Sequence, residues 1–478
     1  MNRIGEASRK GDGTGRAPSS PEGSGVATFT GGLLDLAGAL RFDALPDAAI
    51  AQAKACVLDT IGVALAGWSE DESSIVFEHV RSSYGEGPSS ILGTTSSVAP
   101  EGAALANGTL AHALDYDDTS WTYIGHASAV ILPAALAIGE SRASSGRDLI
   151  TAYVAGLEVA ARIGESLTDE FARRGWHLTS AIGVFGAAIA AGNLLGLSRE
   201  QLSCALGIAA SRASGLKANF GYTVKPFHAG MAAAGGVQSA LLAQAGLTAC
   251  PTALEDRLGF FAAFADRRPP EAVAGADELA IVADGVAFKR YPSCTGSHPA
   301  VDAVLAIVAD EGIAPADVES IRIGTTPEVP GELLHPWPTS GPQAKFSMGF
   351  AVAVALSNGR LGLEHFTDEI VGDEAIRDLM RRCEVFVDTD LERPTSRRWP
   401  AASVEITTAG GQVHRRRVDA ARGNPGNQLT SAELDEKFFD CAGRTLPAAQ
   451  VTALRDLCWG LEQVDDIGEL LAQARGTE

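Results

Sequence analysis

Positive charge and aromatic side chains are both scarce in this chain. Lys and Arg number 38 against 59 Asp and Glu, so the formal net charge is −21, and aromatic residues make up only 6% of the 478 residues. A chain this acidic lacks the basic face that nucleic acids and anionic membranes require, so neither is an expected partner. A small anionic ligand remains permitted, because a few cations in a pocket outweigh a distant net charge that salt screens beyond roughly 10 Å.

Cysteine is also sparse, and long apolar runs are missing. The seven cysteines are scattered singly along the chain, which excludes a disulfide framework or a zinc knuckle and favours reduced thiols in a cytoplasmic protein. No apolar run is expected to reach the length of a membrane span. Residues 1–25 are rich in Gly, Ser, Pro and charge without an apolar core, which predicts a disordered tail rather than a signal peptide.

Helical periodicity dominates the first half of the chain. Asp47 caps a predicted helix whose apolar residues recur with a period near 3.6. Alanine and glycine are abundant at regular spacing, which predicts helix axes in close approach within a buried bundle. Further helices are predicted over residues 101–114, 129–141, 147–167, 179–195, 198–213 and 229–245.

From residue 277 the pattern changes to short strand-like runs that alternate with helices. The predicted fold class is mainly α with an α+β part. A helical domain covers residues 26–276 and 425–478, and an α+β domain over residues 277–424 is inserted before its last helices. Strands are predicted over residues 320–323, 385–387, 403–407 and 413–418, and helices over 300–311 and 346–356.

Two histidines bracket an acidic cluster, although the chain has only nine histidines. His112 comes first, Asp115, Asp117 and Asp118 follow, and His126 closes the stretch. Burying such a set costs several kcal/mol unless each group is paired, whereas proton transfer near neutral pH needs neighbours that shift one another's pKa. The structural alternatives are a hydrogen-bonded His112 and a water-facing helix end at Asp117 and Asp118.

Three further stretches carry polar side chains at predicted helix boundaries, where backbone N–H groups favour anions. They are Gly175-Trp176-His177, Val224-Lys225-Pro226-Phe227-His228 and the stretch from Phe288 to Cys294. Loops on a rigid scaffold often carry binding sites. Taken singly, each of these residues also has an ordinary interpretation. His177 is then a helix cap, Lys225 a solvated turn lysine, Lys289 with Arg290 a surface pair, and Cys294 a buried thiol.

In this order and spacing, the four stretches resemble the MmgE/PrpD family. The most specific part is residues 107–119, NGTLAHALDYDDT, and Lys345-Phe346-Ser347 matches as well. The resemblance runs from about residue 28 to the end of the chain and is closer to the decarboxylase-like branch than to the dehydratase. It implies a helical domain with an inserted α+β lid, assembled as a homodimer.

The resemblance also implies catalytic residues. His126 and His177 become the candidates for proton transfer. Asp115 is expected to orient and charge an imidazole, or to act as the base itself. Thr119 is expected to donate a hydrogen bond.

For substrate binding, the resemblance implies that Lys225 and Lys289 hold carboxylates. Arg290 and Cys294 are further substrate-binding candidates. Two departures from the branch stand out: Cys294 occupies the place of a histidine of the animal decarboxylase, and a lid tyrosine of that enzyme has no clear counterpart near Glu332.

The function expected is that of a cofactor-independent lyase acting on a small di- or tricarboxylate. Decarboxylation or dehydration of a cis-aconitate or 2-methylcitrate type substrate passes through a carboxylate-stabilised carbanion, which fixed cations stabilise without a metal in a closed site. The alternatives are an epimerase of the iminodisuccinate type and a non-catalytic carboxylate-binding relative. A third is a magnesium-dependent helical enzyme, because Asp115-Tyr116-Asp117-Asp118 loosely resembles aspartate-rich metal clusters.

Overall fold

The computed structural model of the chain describes residues 28–271, 273, 278–283, 285–391 and 399–476. The tail predicted for residues 1–25 lies outside the described residues. Two hydrophobic cores are present. The larger one joins residues from Phe29 to Phe288 with residues from Leu429 to Ala474, and the second joins residues from Tyr291 to Ile406. The domain limits at 277 and 424 stay predictions.

Helices build the first part of the chain, as the periodicity predicts. Most begin and end within a few residues of the predicted bounds, but the helix predicted from 229 begins at Val224, so its first turn includes Lys225 and Pro226. Proline fits a first helical turn because its missing N–H has no partner there. The helices are α1 Phe29–Ala39, α2 Asp47–Ala66, α3 Asp71–Ser83, α4 Pro100–Ala113, α5 Ser128–Ser141, α6 Gly146–Glu165, α7 Thr168–Arg173, α8 Leu178–Leu194, α9 Arg199–Ala210, α10 Val224–Gln244, α11 Phe260–Ala265 and α12 Ala280–Ala283.

Helices α4 and α10 cross at glycine. A Cβ on Gly230 would lie 2.2 Å from the carbonyl oxygen of Leu105, and a Cβ on Gly108 would lie 2.8 Å from the Cα of Gly230. Only glycine allows backbones this close. The crossing brings the C-terminal end of α4, which carries His112, towards the first turn of α10, which carries Lys225.

Short two-stranded ladders connect the helices of this part, and the sequence did not predict them. Strand β1 Glu86–Ser90 pairs antiparallel with β2 Ser97–Val98, and β3 Thr119–Ser120 pairs antiparallel with β4 Val286–Ala287. The second ladder joins segments more than 160 residues apart in sequence, and it places the residues after β4 against the acidic cluster.

The α+β part carries the main sheet, which confirms the predicted fold class. The strand order is β6-β5-β7-β8, with β5 parallel to β6 and antiparallel to β7, and β7–β8 form the predicted hairpin. Ala402, Val404 and Ile406 alternate into the core of this part. The elements are α13 His298–Glu311, β5 Val318–Thr325, α14 Gly341–Ala344, α15 Met348–Asn358, α16 Asp368–Gly372, α17 Glu374–Arg381, β6 Cys383–Val387, β7 Ala402–Thr408 and β8 Val413–Val418.

The chain returns to the helical part with α18 Ser431–Ala442, α19 Ala448–Trp459 and α20 Gly468–Gln473. Capping boxes begin α9 at Ser198 and α18 at Thr430. Helix α18 packs on α2, where Lys437 Nζ forms a buried ion pair with Asp59 Oδ1 at 2.7 Å. These contacts complete the larger core.

One segment corrects the expectation that no apolar run has the length of a membrane span. Within the described residues, Asp47–Ser69 is long and apolar enough by length and composition alone. Of its most apolar window, 72% is buried inside the protein. The central helix of a hydrophobic core passes the same test, so the finding is weak support for a span.

Candidate active site

The acidic cluster begins where α4 ends. Helix α4 stops at Ala113, and Asp115 follows with φ of +51°, a left-handed conformation that aspartate tolerates better than most residues. The turn leads into β3, and the ladder of β3 with β4 pairs Thr119 with Ala287. Lys289 lies two residues after β4, so this ladder brings its side chain beside Asp115.

Asp115 is buried between two ammonium groups. Lys225 Nζ lies 2.6 Å and Lys289 Nζ 3.0 Å from Asp115 Oδ1, and all three side chains are at most 4% exposed. Lys289 also donates to the Asp115 carbonyl oxygen at 2.7 Å. Burial by itself raises the pKa of Asp115, but the two ammonium groups outweigh it and hold that pKa well below its usual range. Two ammonium groups thus share one carboxylate, so Lys225, whose described hydrogen bond goes to Asp115, keeps N–H donors for an anionic ligand.

Asp117 contacts two imidazoles through their Nδ1 atoms. Asp117 Oδ2 lies 2.9 Å from Nδ1 of His112 and 3.0 Å from Nδ1 of His126; the first contact has hydrogen-bond geometry, whereas the second has the distance without the angle. Burial raises the pKa of Asp117, but the two histidines bring it well below its usual value. An ionised carboxylate only accepts, so it favours a proton on each Nδ1 and a free lone pair on each Nε2. Nε2 of His126 lies 3.8 Å from Asp115 Oδ1.

His177 precedes α8 without capping it. Its side chain makes no capping hydrogen bond, so the helix-cap interpretation is wrong. Its Nδ1 lies 3.0 Å from Nδ1 of His228, and its ring packs against Phe220 at a centroid distance of 5.0 Å. Burial lowers the pKa of His177 well below its usual value and that of His228 to about 4. Both rings are therefore neutral at pH 7, and one Nδ1–H donates to the other Nδ1.

The remaining two imidazoles are also neutral in this environment. Burial lowers the pKa of His112 to about 3, although Asp117 opposes the change. Burial likewise lowers the pKa of His126. Neutral imidazoles are bases, so His126 and His177 are ready to accept a proton at physiological pH.

These groups surround a cleft. Thr119 Oγ1 is buried and, within the described part of the chain, has no hydrogen-bond partner, so it is free to bind a ligand in the cleft. The residues after β4 and those of the α+β part supply the other side. The lining residues that carry the argument are Asp115, Thr119, His126, His177, Lys217, Phe220, Lys225, Cys294, Glu332 and Phe346.

Six of the eight site residues predicted from the sequence line this cleft: Asp115, Thr119, His126, His177, Lys225 and Cys294. Lys289 does not line the cleft itself. It is 1% exposed, lies behind Asp115 as seen from the cleft and contacts the Asp115 carboxylate. Arg290 is exposed and does not line the cleft, so the structure corrects its assignment as a substrate contact. Its backbone carbonyl accepts a hydrogen bond from the Tyr116 hydroxyl instead, at 3.2 Å.

The interpretation of Asp117 and Asp118 as a water-facing helix end is wrong, because both are 0% exposed. The Ser128 hydroxyl donates a short hydrogen bond to Asp118 and lies 2.7 Å from the Tyr153 hydroxyl. Burial raises the pKa of Asp118 to about 7. Since Ser128 opens α5 two residues after His126, Asp118 fixes the start of that helix.

The donor atoms of four residues lie close enough for a metal ion. Atoms of His112, Asp115, Asp117 and His126 lie within 4.8 Å of one another. Lys225 and Lys289 already bind the Asp115 carboxylate from this set, and a divalent ion there would sit close to both ammonium charges. The donor set therefore fits a cation poorly, and a metal-free site stays our prediction.

Sequence reasoning missed five residues of the site. Phe346 and His228 lie within stretches that match the family, so the sequence contained the information needed to predict them. Lys217, Phe220 and Glu332 stand in loops outside the motif stretches, and only the tertiary fold brings them to the cleft.

Most of the chain is similar to known proteins. Residues 32–273 match the MmgE/PrpD N-terminal domain and residues 291–461 match the MmgE/PrpD C-terminal domain. The chain is 29% identical to a cis-aconitate decarboxylase of Homo sapiens over 455 residues, which covers 91% of this chain and 92% of that protein. A cis-aconitate decarboxylase of Aspergillus terreus is 27% identical over 90% of this chain and 93% of its own length. A probable 2-methylcitrate dehydratase of Saccharomyces cerevisiae is 26% identical over 72% of this chain and 71% of its own length. The two domain matches together span most of the sequence, and the chain therefore belongs to the MmgE/PrpD family.

Proposed function

We propose that the protein is a cofactor-independent lyase that decarboxylates or dehydrates a small di- or tricarboxylate of the cis-aconitate or 2-methylcitrate type. The observation that carries this proposal is the half-neutralised cation pair: Lys225 and Lys289 share one carboxylate, Asp115, beside two neutral imidazoles. The relatives named as decarboxylases and dehydratases support the same reaction class. Following the family resemblance, we also propose that the protein is a cytoplasmic homodimer.

In the proposed reaction, a substrate carboxylate binds beside Lys225. Loss of carbon dioxide, or removal of a proton next to the carboxylate, leaves an electron pair that spreads onto the carboxylate oxygens. Preorganised ammonium groups stabilise that developing charge, since they need no reorientation during the reaction. Thr119 Oγ1 donates a further hydrogen bond to the substrate.

Proton transfer falls to His126 and His177. In dehydration, a neutral imidazole removes the proton, and the imidazolium so formed protonates the leaving hydroxyl. In decarboxylation, the neutral imidazole first takes up a proton from solvent when the anionic substrate binds, and it then delivers that proton to the carbon that has lost carbon dioxide. Asp117 lies 3.0 Å from Nδ1 of His126 and stabilises the imidazolium form in both cases.

The α+β part is held over the cleft by a buried cation. Lys345 Nζ donates to the carbonyl oxygen of Ala113 at 3.1 Å and pairs with Glu70 at 3.1 Å. This contact ties the α+β part to the end of α4. We expect it to help exclude water, which strengthens the electrostatic interactions inside the cleft.

The test uses Lys225→Ala and His177→Ala with cis-aconitate, 2-methylcitrate and iminodisuccinate as substrates. Each variant should lower kcat by about 100-fold or more while circular dichroism shows an intact fold. Lys54→Ala and the exposed His79→Ala are the matched controls and should keep wild-type turnover. Wild-type turnover in either cleft variant would remove that residue from the mechanism. Binding without turnover of any substrate would favour a non-catalytic relative.

The presence of two neutral imidazoles in one cleft also suits an epimerase, which removes a proton with one base and returns it with another. Incubation with iminodisuccinate in deuterated water separates the two reactions. An epimerase incorporates deuterium into recovered substrate without forming a new product, whereas a lyase releases carbon dioxide or an unsaturated product.

A further inference from the structure

Glu332 is, besides Asp115, a second carboxyl group that lines a cleft in which Lys217 and Lys225 present cations to an anionic substrate. It follows the turn Val329–Gly331, is partly buried and lines the cleft beside Cys294. Its Oε2 lies 4.0 Å from the Cys294 sulfur. Among the described residues, no lysine or arginine nitrogen lies within 4.0 Å of this carboxyl group.

The surroundings of Glu332 separate the cleft into two chemically different regions. At one, Lys225 and Lys289 hold Asp115. At the other, Glu332 stands with Cys294, whose pKa burial raises to about 12, so that the sulfur remains a neutral thiol. Burial also raises the pKa of Glu332, although Lys217 opposes that change. The first region attracts a carboxylate. The second offers the Glu332 carboxyl group as a hydrogen-bond acceptor, and Lys217 also lines the cleft but does not approach within 4.0 Å of that carboxyl group among the described contacts.

We propose that Glu332 determines specificity, by making the cleft select dicarboxylates whose further substituent is a hydrogen-bond donor or a cation and reject a third carboxylate there. The inference rests on the proposed function, because it assumes that carboxylates bind at the Lys225 region, and it narrows the substrate to the dicarboxylates of that class, so that cis-aconitate and 2-methylcitrate, with three carboxylates each, bind more weakly. Two carboxylates at about 4 Å repel strongly in a partly buried site unless one takes up a proton. A hydroxyl or ammonium group donates to Glu332 and avoids that cost.

Four ligands that differ at a single carbon test the proposal. Glutarate, 3-hydroxyglutarate, 3-aminoglutarate and tricarballylate all carry two terminal carboxylates, and their third carbon bears hydrogen, hydroxyl, ammonium or carboxylate, respectively. Isothermal titration calorimetry on the full-length protein at pH 7.5 measures each Kd. The wild type should bind 3-hydroxyglutarate and 3-aminoglutarate at least about tenfold more tightly than tricarballylate.

The variant Glu332→Gln keeps the shape of the side chain and removes its charge. It should tighten tricarballylate and weaken 3-aminoglutarate, each by at least about tenfold, while glutarate changes by less than about threefold. Glu369→Gln removes an exposed carboxylate from the same part of the chain and should leave all four affinities unchanged. Thermal melts establish that both variants are folded.

The outcomes separate the two proposals. If the wild type binds tricarballylate as tightly as 3-hydroxyglutarate, or if Glu332→Gln changes all four affinities by the same factor, the role of Glu332 is refuted and the carboxylate site stands. If the wild type binds none of the four, the proposed function fails and this inference fails with it. If Glu332→Gln does not fold, the wild-type series alone decides.

Discussion

Replacing Asp115 with Asn tests the charge balance on which the site depends. The change removes one negative charge from between two ammonium groups at 2.6 and 3.0 Å and keeps the shape of the side chain. Removing one partner of a buried ion pair costs about 3–5 kcal/mol, because the other charge stays buried without compensation. With an unfolding entropy of about 2.1 cal/mol/K per residue over roughly 300 residues of the helical part, that loss lowers the Tm by about 5–8 °C.

The pH dependence gives a second measure of the same interaction. The pKa of Asp115 is lower in the folded protein than in the unfolded chain. Its stabilising contribution is therefore fully present above the unfolded value of about 3.9 and declines as the pH falls through the folded value. Asparagine does not titrate, so the Tm difference between wild type and Asp115→Asn should be largest between about pH 5 and 7 and should narrow below about pH 4.

Thermal melts followed by circular dichroism at several pH values make both measurements. Asp35→Asn is the matched control, because Asp35 lies 2.7 Å from Arg199 but the two side chains are 71% and 53% exposed. An exposed pair contributes about 0–1 kcal/mol, so this control should change the Tm by less than about 2 °C. An Asp115→Asn variant that melts within about 2 °C of wild type at pH 7, or a difference that does not vary with pH, would refute the reasoning.

Three further predictions follow from the same contacts. Asp117→Asn should lower kcat by about 100-fold or more in steady-state assays, because the neutral amide no longer favours the protonated Nδ1 of His126 or stabilises its imidazolium; an unchanged kcat would contradict this. Since burial lowers the pKa of His126 and of His177, the base forms that dehydration needs persist below pH 6.5, so kcat/KM for dehydration should stay flat from about pH 8 to 6.5; for decarboxylation, which needs the imidazolium, kcat/KM should rise as the pH falls over that range, and an acid limb centred on 6.5 would contradict both. Turnover should survive dialysis against a chelator, because two ammonium groups occupy the region that a metal ion would need; loss of activity restored by one added metal would overturn that expectation.

Periodicity predicted the fold class even though central helices such as α5 and α8 are buried on almost every side and carry only a weak 3.6-residue pattern. Where it failed, local rules explain the difference. The start of helix α10 was predicted five residues too late, because Pro226 suggests a break although proline is tolerated in a first turn. Thr223, at the N-cap, makes no side-chain capping bond. The ladder of β3 with β4 has two residues in each strand and leaves no periodic signal.

Individual site residues were predictable from the motifs, but their pairing was not. Lys225 and Lys289 stand 110 and 174 residues after Asp115, so only the tertiary fold shows that they share one carboxylate. Arg290 belongs to a motif that matches the family, but its side chain lies outside the site. Residues 286–289 and 291–294 are buried and Arg290 between them is exposed, so it is the tertiary fold that separates Lys289 from its neighbour. A sequence motif shows which residues occur together, but it does not show which of their side chains face the interior and which face solvent.

The charges in the cleft place stability and function in opposition. Two buried ammonium groups share the single carboxylate of Asp115, while Asp117 contacts the imidazoles instead, so a second carboxylate placed against the ammonium groups would accept from their remaining N–H donors. That second carboxylate would also fill the position where the substrate binds, so the missing negative charge is what creates affinity. The close glycine crossing of α4 with α10 and the Lys437–Asp59 pair lie in the same helical part and help hold this arrangement in place. The substrate carboxylate therefore supplies the acceptor that the two ammonium groups lack in the empty protein, and in our proposal Glu332 determines which further substituent that substrate carries.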